Sequence, residues 1–214
     1  MKPVSALAAA ALALCAFDTA SALAAPDEPP AMLLVASPKI DDPRFRESVV
    51  LVLRHGRGGP LGVIVNKGSD VTLATVFKKP EEAKLAAKPL HFGGPIEPQR
   101  LIALYRDPQP QPRDSLQIAD GLWMSQSQAR IERVLERPPE SFKIMAGFSG
   151  WARGQLEHEI ARGDWYLLPL DQSVLFGADD ATLWSTLLQR ASQRSAALPS
   201  RPPTRTAEPH PLPA

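Results

Sequence analysis

Four histidines and one cysteine are all the imidazole and thiol in this 214-residue chain, so nucleophilic, general-base or metal chemistry has few parts to draw on. The most pointed arrangement is Gly147-Phe148-Ser149-Gly150. It sets Ser149 as in a nucleophile elbow, but G-x-S-x-G needs glycine at 151, where Trp151 stands. A serine nucleophile also needs a histidine base oriented by an acid, and His91 with Asp41 or Asp42 is the set the chain offers. The simpler role for Ser149 is to shape the turn before a helix. His158-Glu159 begins a zinc-protease motif that fails at Arg162, where the second histidine belongs. Gly56, Gly58 and Gly59 cannot complete G-x-G-x-x-G because position 61 is leucine, and no phosphate-loop Gly-Lys-Ser/Thr ending occurs.

Metal binding needs converging ligands. His55, His91 and His158, without a thiol to help, do not make such a set, so no metal and no cofactor is expected. His55 ends a strand at a turn, a solvated or hydrogen-bonded position. His158 lies between Glu157 and Glu159, where a surface salt bridge suffices. His91, beside Gly93-Gly94-Pro95, is the histidine best placed for ligand contact. That turn allows close backbone approach and could turn amides toward an anion. A tight turn that lets two strands pack closely explains the glycines more simply. Trp151 with Trp165, and Trp123 with Trp184, are expected as core or lid aromatics.

Strands and helices must hold these groups. Residues 32–36 form a short apolar run closed by Ser-Pro, and 48–53 (SVVLVL) and 61–65 (LGVIV) flank a glycine turn as a hairpin. Both hairpin arms are apolar throughout, which predicts cover on both faces. Further strands are expected over 101–105, 121–125, 142–148 and 165–168. Helices are expected at 72–77 and after Pro80, over 127–137 until Pro138-Pro139, over 155–162 until Gly163, and over 179–188 with acid at the N-terminus. Hairpins mixed with helical crossings indicate an α+β fold rather than an alternating parallel sheet.

The ends read differently. Lys2, an apolar run from Val4 to Phe17 and Ala22-Leu23-Ala24 have the layout of a signal peptide over residues 1–24, cleaved near Ala24. The run is shorter than the roughly 20 residues a span requires, so no membrane span is expected after cleavage. Cys15 lies inside this segment, and a mature chain without it forms no disulfide. Residues 196–214 are rich in proline and contain His210; they are expected to be a disordered tail. The domain itself is expected over 31–192. Without Lys2, Arg201, Arg205, Asp18 and Glu208, 21 basic residues face 21 acidic ones. Their interspersion leaves no basic face for phosphates, so no nucleic-acid partner is expected.

Several separated segments, in order, resemble the YqgE/AlgH family. They are Asp42 to Phe45 with Ser48 and Val49, His55 before the glycine turn, and Leu61 to Asn66. They continue with Phe92 to Ile96, Ser125, Gly147 to Trp151, Gly154 to Glu157 with Glu159, and Trp165. The resemblance runs from about Met32 to Leu188 and implies a single domain with an irregular, partly barrel-like mixed β-sheet flanked by helices. Departures are Gly68, where proline is common, and GFSGWARGQLE in place of a GYAGWGPGQLE-like segment, which loses a tyrosine hydroxyl. Family members are often labelled transcriptional regulators, a label that fits poorly with a neutral, exported domain.

The function expected is therefore non-enzymatic: an exported protein, periplasmic or secreted, that binds an unknown protein or small-molecule partner in a cleft. Asn66, His91, Gly93, Gly94, Gly150, Trp151 and Gln155 are expected to line that cleft. The alternatives are a hydrolase using Ser149 with a nearby histidine and, if the start site is misassigned and the chain stays in the cytoplasm, a regulatory protein. A start at Met32 would clip the first strand.

Overall fold

A computed structural model describes residues 31–53, 59–78, 83–109, 111, 113–177 and 179–197. The expected signal segment, Cys15, His55, His210 and nearly all of the proline-rich tail lie outside these residues.

The chain's most apolar runs form the first strands. β1 (Ala31–Ala36), β2 (Val49–Leu53) and β3 (Leu61–Ile64) make an antiparallel meander, with Leu33 opposite Leu51 and Val50 opposite Ile64. All five residues of β2 are buried, as the unbroken run predicts. Val49, Leu51 and Leu53 face one core cluster while Val50 and Val52 face another. The pleat sends neighbours to opposite sides, so a strand covered on both faces cannot alternate with polar residues.

The next elements are short: β4 (Gly68–Thr72), α1 (Leu73–Val76), α2 (Ala83–Ala86) and β5 (Pro89–Phe92). Thr72 caps α1 by accepting from the Thr75 amide. Then come β6 (Ile96–Arg106), β7 (Leu116–Ala119) and β8 (Leu122–Ser125). α3 (Gln128–Glu136) follows, capped by Ser127 and ended ahead of Pro138-Pro139. β9 (Phe142–Gly150), α4 (Gln155–Arg162) and β10 (Trp165–Pro169) match the expected strand, helix and strand to within two residues. α5 (Gln172–Gly177) and α6 (Asp180–Ala197) close the fold. α6 runs past residue 192, so the folded part extends slightly into what composition assigns to the tail.

The strands form one curled sheet in the order β10-β1-β2-β3-β9-β6-β8-β7, a half-barrel flanked by helices and thus an α+β domain. β9 is its branch point. One edge of β9 pairs with β6 over 142–148; the other pairs with β5 in parallel through Ala146, then with β3 at Ser149 and Gly150. On one side of β6 and β9, Ile102, Leu104 and Met145 join the cluster that α5 and α6 cover. On the other, Ala103, Tyr105, Phe142 and Ile144 pack against Ile131, Val134 and Leu135 of α3.

Candidate functional site

Alternation along β9 and β5 puts two unusual residues on one face. His91 is directly opposite Met145 in the parallel pairing, and Lys143 stands two residues earlier on β9. The strand period of two therefore places both side chains on the Met145 side of the sheet. That side is covered by α6, whose Leu183, Leu187 and Ala191, spaced by four, dock into the same cluster. The docking brings Asp180, the first residue of α6, between the two.

The result is a compact charged cluster. Asp180 Oδ1 accepts from Lys143 Nζ, and Oδ2 lies 2.7 Å from His91 Nε2. Lys143 Nζ also donates to the Val65 carbonyl at 2.7 Å. The side chains of His91 and Lys143 are 4% and 9% exposed and that of Asp180 is 26% exposed, so the cluster is buried on the sheet side and open on the helix side. Burial pushes the Asp180 carboxyl up, but hydrogen bonds from His91 and Lys143 outweigh it and hold the group below the ordinary aspartate value. Burial is the main effect on Lys143 and lowers its ammonium below the usual lysine value, although Asp180 opposes the shift. His91 Nε2 donates to the Asp180 carboxylate, and the Nδ1 atom of the same ring is buried with no partner.

Beside this cluster lies a cavity of about 210 Å³. His91, Lys143, Asp180 and Lys88 are its charged and polar lining, and Leu73, Phe142 and Phe176 belong to its apolar lining. Lys88 Nζ stands 5.4 Å from the centre of the Phe142 ring. No group of three or more His, Cys, Asp or Glu side chains able to hold a metal occurs among the described residues. The arrangement can hold and orient a small guest by charge. It contains no serine or thiol nucleophile.

The Asp180 shift sets an acid-stability prediction. Its folded pKa lies below the unfolded value of about 3.9, so the stabilisation is fully present above that value and is lost as pH falls through the folded one. Wild type is expected to exceed Asp180→Asn in stability near neutral pH. The two urea-unfolding midpoints should converge as pH falls from about 5 to 2.

The residues anticipated for a cleft sit elsewhere, except His91. Asn66 is buried and spends both ends of its amide: Oδ1 accepts from the Val49 amide at 2.7 Å and Nδ2 donates to the Glu47 carbonyl at 2.9 Å. It thereby ties the loop before β2 to the end of β3. Gly93 bridges β3 and β9, accepting from the Ile64 amide and donating to the Ala146 carbonyl. Gly94 lies against the backbone of Phe148 and the Ser149 hydroxyl, and Gly150 pairs with Leu61. Ser149 is buried opposite Gly62, and its Oγ has no partner. His91 is registered four residues away along β9, about 13 Å by strand rise. Its acid is Asp180; Asp42 instead pairs with Arg44.

Trp151 and Trp165 meet edge to face, ring centres 6.1 Å apart. Both indoles donate to Glu159 Oε2 at 2.9 Å, while Gln155 donates to Oε1. His158 is exposed. Glu159, not the neighbouring histidine, is thus the working residue of that helix. Glu159→Ala leaves two buried indole N–H groups without their acceptor, a cost of about 2–3 kcal/mol. That should lower the melting temperature by roughly 5–10 °C. Glu159→Gln, which keeps an acceptor oxygen, should lose less than half of that.

Lys143 and Asp180 were not singled out by sequence reasoning. The available signal was a lysine at the second position of the otherwise apolar run 142–148.

The AlgH-like family model, DUF179, matches residues 33–196. A UPF0301 protein of Ruegeria pomeroyi is 34% identical over 162 residues, covering 73% of this chain and 88% of that protein. Another, of Ralstonia nicotianae, is 35% identical over 162 residues, covering 72% and 85%. The solution structure of the AlgH protein from Pseudomonas aeruginosa is similar with a TM-score of 0.65 at 26% identity, covering 83% of this chain and 98% of that one. A crystal structure of a Corynebacterium diphtheriae protein gives 0.62 at 27%, covering 77% and 87%.

Proposed function

This chain belongs to the AlgH-like family, and on that footing we propose that it is an exported, non-enzymatic protein that binds a small molecule or a partner's side chain in the cavity beside His91, Lys143 and Asp180. The carrying observation is the cavity itself: a largely buried ion pair and histidine beside apolar lining, with no serine or thiol nucleophile. Convergent polar groups in an apolar pocket are what a binding site requires. Compartment is argued from Lys2, the apolar run and Ala22-Leu23-Ala24. Among the described residues no helix is long and apolar enough to cross a membrane.

Ser149 takes no part in this reading, because its hydroxyl is buried and His91 is committed to Asp180. A fluorophosphonate probe should leave wild type unlabelled; labelling abolished by Ser149→Ala would restore the hydrolase.

Native mass spectrometry of protein from the fractionated host tests compartment and site together. The expected species begins at Ala25, comes from the periplasmic or secreted fraction and carries a small adduct. Ala87→Trp, which fills the cavity mouth from an exposed position, should give the same chain without the adduct. A cytoplasmic chain beginning at Met1 or near Met32 would overturn export, and an adduct retained by Ala87→Trp would overturn the site.

A further inference from the structure

The balance of donors and acceptors in the cavity constrains its guest. Asp180 supplies the carboxylate there, and each of its oxygens already has a partner, one in Lys143 and one in His91. Donors are in surplus. The Lys143 ammonium carries three protons and uses two, on Asp180 and the Val65 carbonyl. Lys88, beside it over the Phe142 ring, has no ion-pair partner among the described residues. Lys88, Lys143 and Asp180 sum to a single positive charge. A cationic guest would meet two ammonium groups and a carboxylate already paired with Lys143; an anionic one would meet uncommitted N–H donors.

Size and lining restrict it further. At about 210 Å³ the cavity is smaller than the roughly 300–1,000 Å³ of sites for drug-sized ligands. Leu73, Phe142 and Phe176 offer apolar surface next to the charge. Phe142 is held by β9 against α3, so this wall is part of the packed core rather than a mobile flap.

We propose that the cavity selects a small monoanion with an apolar body, a carboxylate on an aliphatic or aromatic group, whose carboxylate is received by Lys88 and the third proton of Lys143. This rests on the cavity being the binding site. The specificity element is Lys88: Lys143 and Asp180 compensate one another, whereas Lys88 supplies the charge left unbalanced among the described lining residues.

The test is titration of the ¹⁵N-labelled full chain with benzoate, benzamide and benzylamine, which share a ring and differ in charge. Benzoate should shift the amides of residues 88–91 and 142–144 with an affinity at least about tenfold above that of benzamide, and benzylamine should not bind. Lys88→Glu, a change at a half-buried position outside the ion pair, should weaken benzoate at least about tenfold and leave benzamide within about twofold. Benzamide or benzylamine matching benzoate at these amides would overturn the anion selectivity while leaving the site in place. Benzoate binding unchanged by Lys88→Glu would overturn the assigned receptor. If no probe moves these amides up to about 10 mM, the anion proposal fails. If a screen of wider chemistry also fails there, the site fails with it.

Discussion

Gly94→Val should yield little or no soluble folded protein, the largest effect expected of any single substitution in this chain. A Cβ at residue 94 would overlap the backbone carbonyl of Phe148 and come within 2.5 Å of Ser149 Oγ. The Phe148 obstacle is main chain and cannot swing aside, and the Ser149 hydroxyl is the end of a short, buried side chain. Both belong to β9, which is paired on both edges at the sheet's branch point. Gly94 also has φ of 153°, which a β-branched residue tolerates poorly. The cost should be about 4 kcal/mol or more, a large share of the 5–15 kcal/mol typical of a domain. Gly154→Ala is the control. It sits at φ 78° with no atom within 4 Å of the added Cβ, so only backbone strain of about 1–2 kcal/mol is expected. Comparable soluble yields and melting temperatures for the two variants would show that the Gly93-Gly94 junction does not close the sheet as described.

The second large effect concerns the buried charge. Asp180→Ala leaves the Lys143 ammonium with a lone carbonyl acceptor and strips His91 Nε2–H of its partner. Breaking a buried pair by removing one member costs roughly 3–5 kcal/mol. Asp180 is partly exposed, which places this case near the lower end, about 3 kcal/mol. Lys143→Met removes the cation instead and fills similar volume. The double variant Asp180→Ala with Lys143→Met should be more stable than Asp180→Ala alone, because no unpaired buried ammonium remains. Chemical denaturation of all four proteins measures the coupling. Additive costs would mean that the pair does not act as a unit.

These two predictions fall on opposite sides of what the sequence makes visible. Gly93 and Gly94 stand out as a pair, and their role in close packing follows from their chemistry. The β2–β3 hairpin, β9, α3 and α4 were legible because each has a full run of one periodicity and recognisable stops. β4, by contrast, reads Gly-Ser-Asp-Val-Thr and is largely exposed, so it has neither alternation nor an apolar run. It is a strand because β5 offers it an edge. β5 has four residues and gains its place from β9, a partner far away in sequence.

The proposed site is hidden in the sequence for a related reason. Lys143 in an apolar strand reads as a residue with its head in water, and Asp180 as a helix-start carboxylate favoured by the dipole. Each has a sufficient local explanation. Only the docking of α6 on β1 and β10, which carries its first residue to His91 and Lys143, makes them neighbours, and no spacing between residues 91, 143 and 180 encodes that. Trp151, Gln155 and Asn66 read as cleft residues because turns rich in Gly, Trp and amides often line clefts. Here their polar groups are taken up by Glu159, Glu47 and Val49.

The most direct measurement is a fragment screen on the ¹⁵N-labelled protein using acids, neutral amides and amines of matched size. If the cavity between β5, β9 and α6 is where this protein binds, amide shifts should concentrate at residues 88–92, 142–145 and 180–183, and Ala87→Trp should abolish them. Shifts centred instead on Asn66, Trp151 and Gln155, with the Lys143 region unmoved, would contradict that assignment and move the site to the turns.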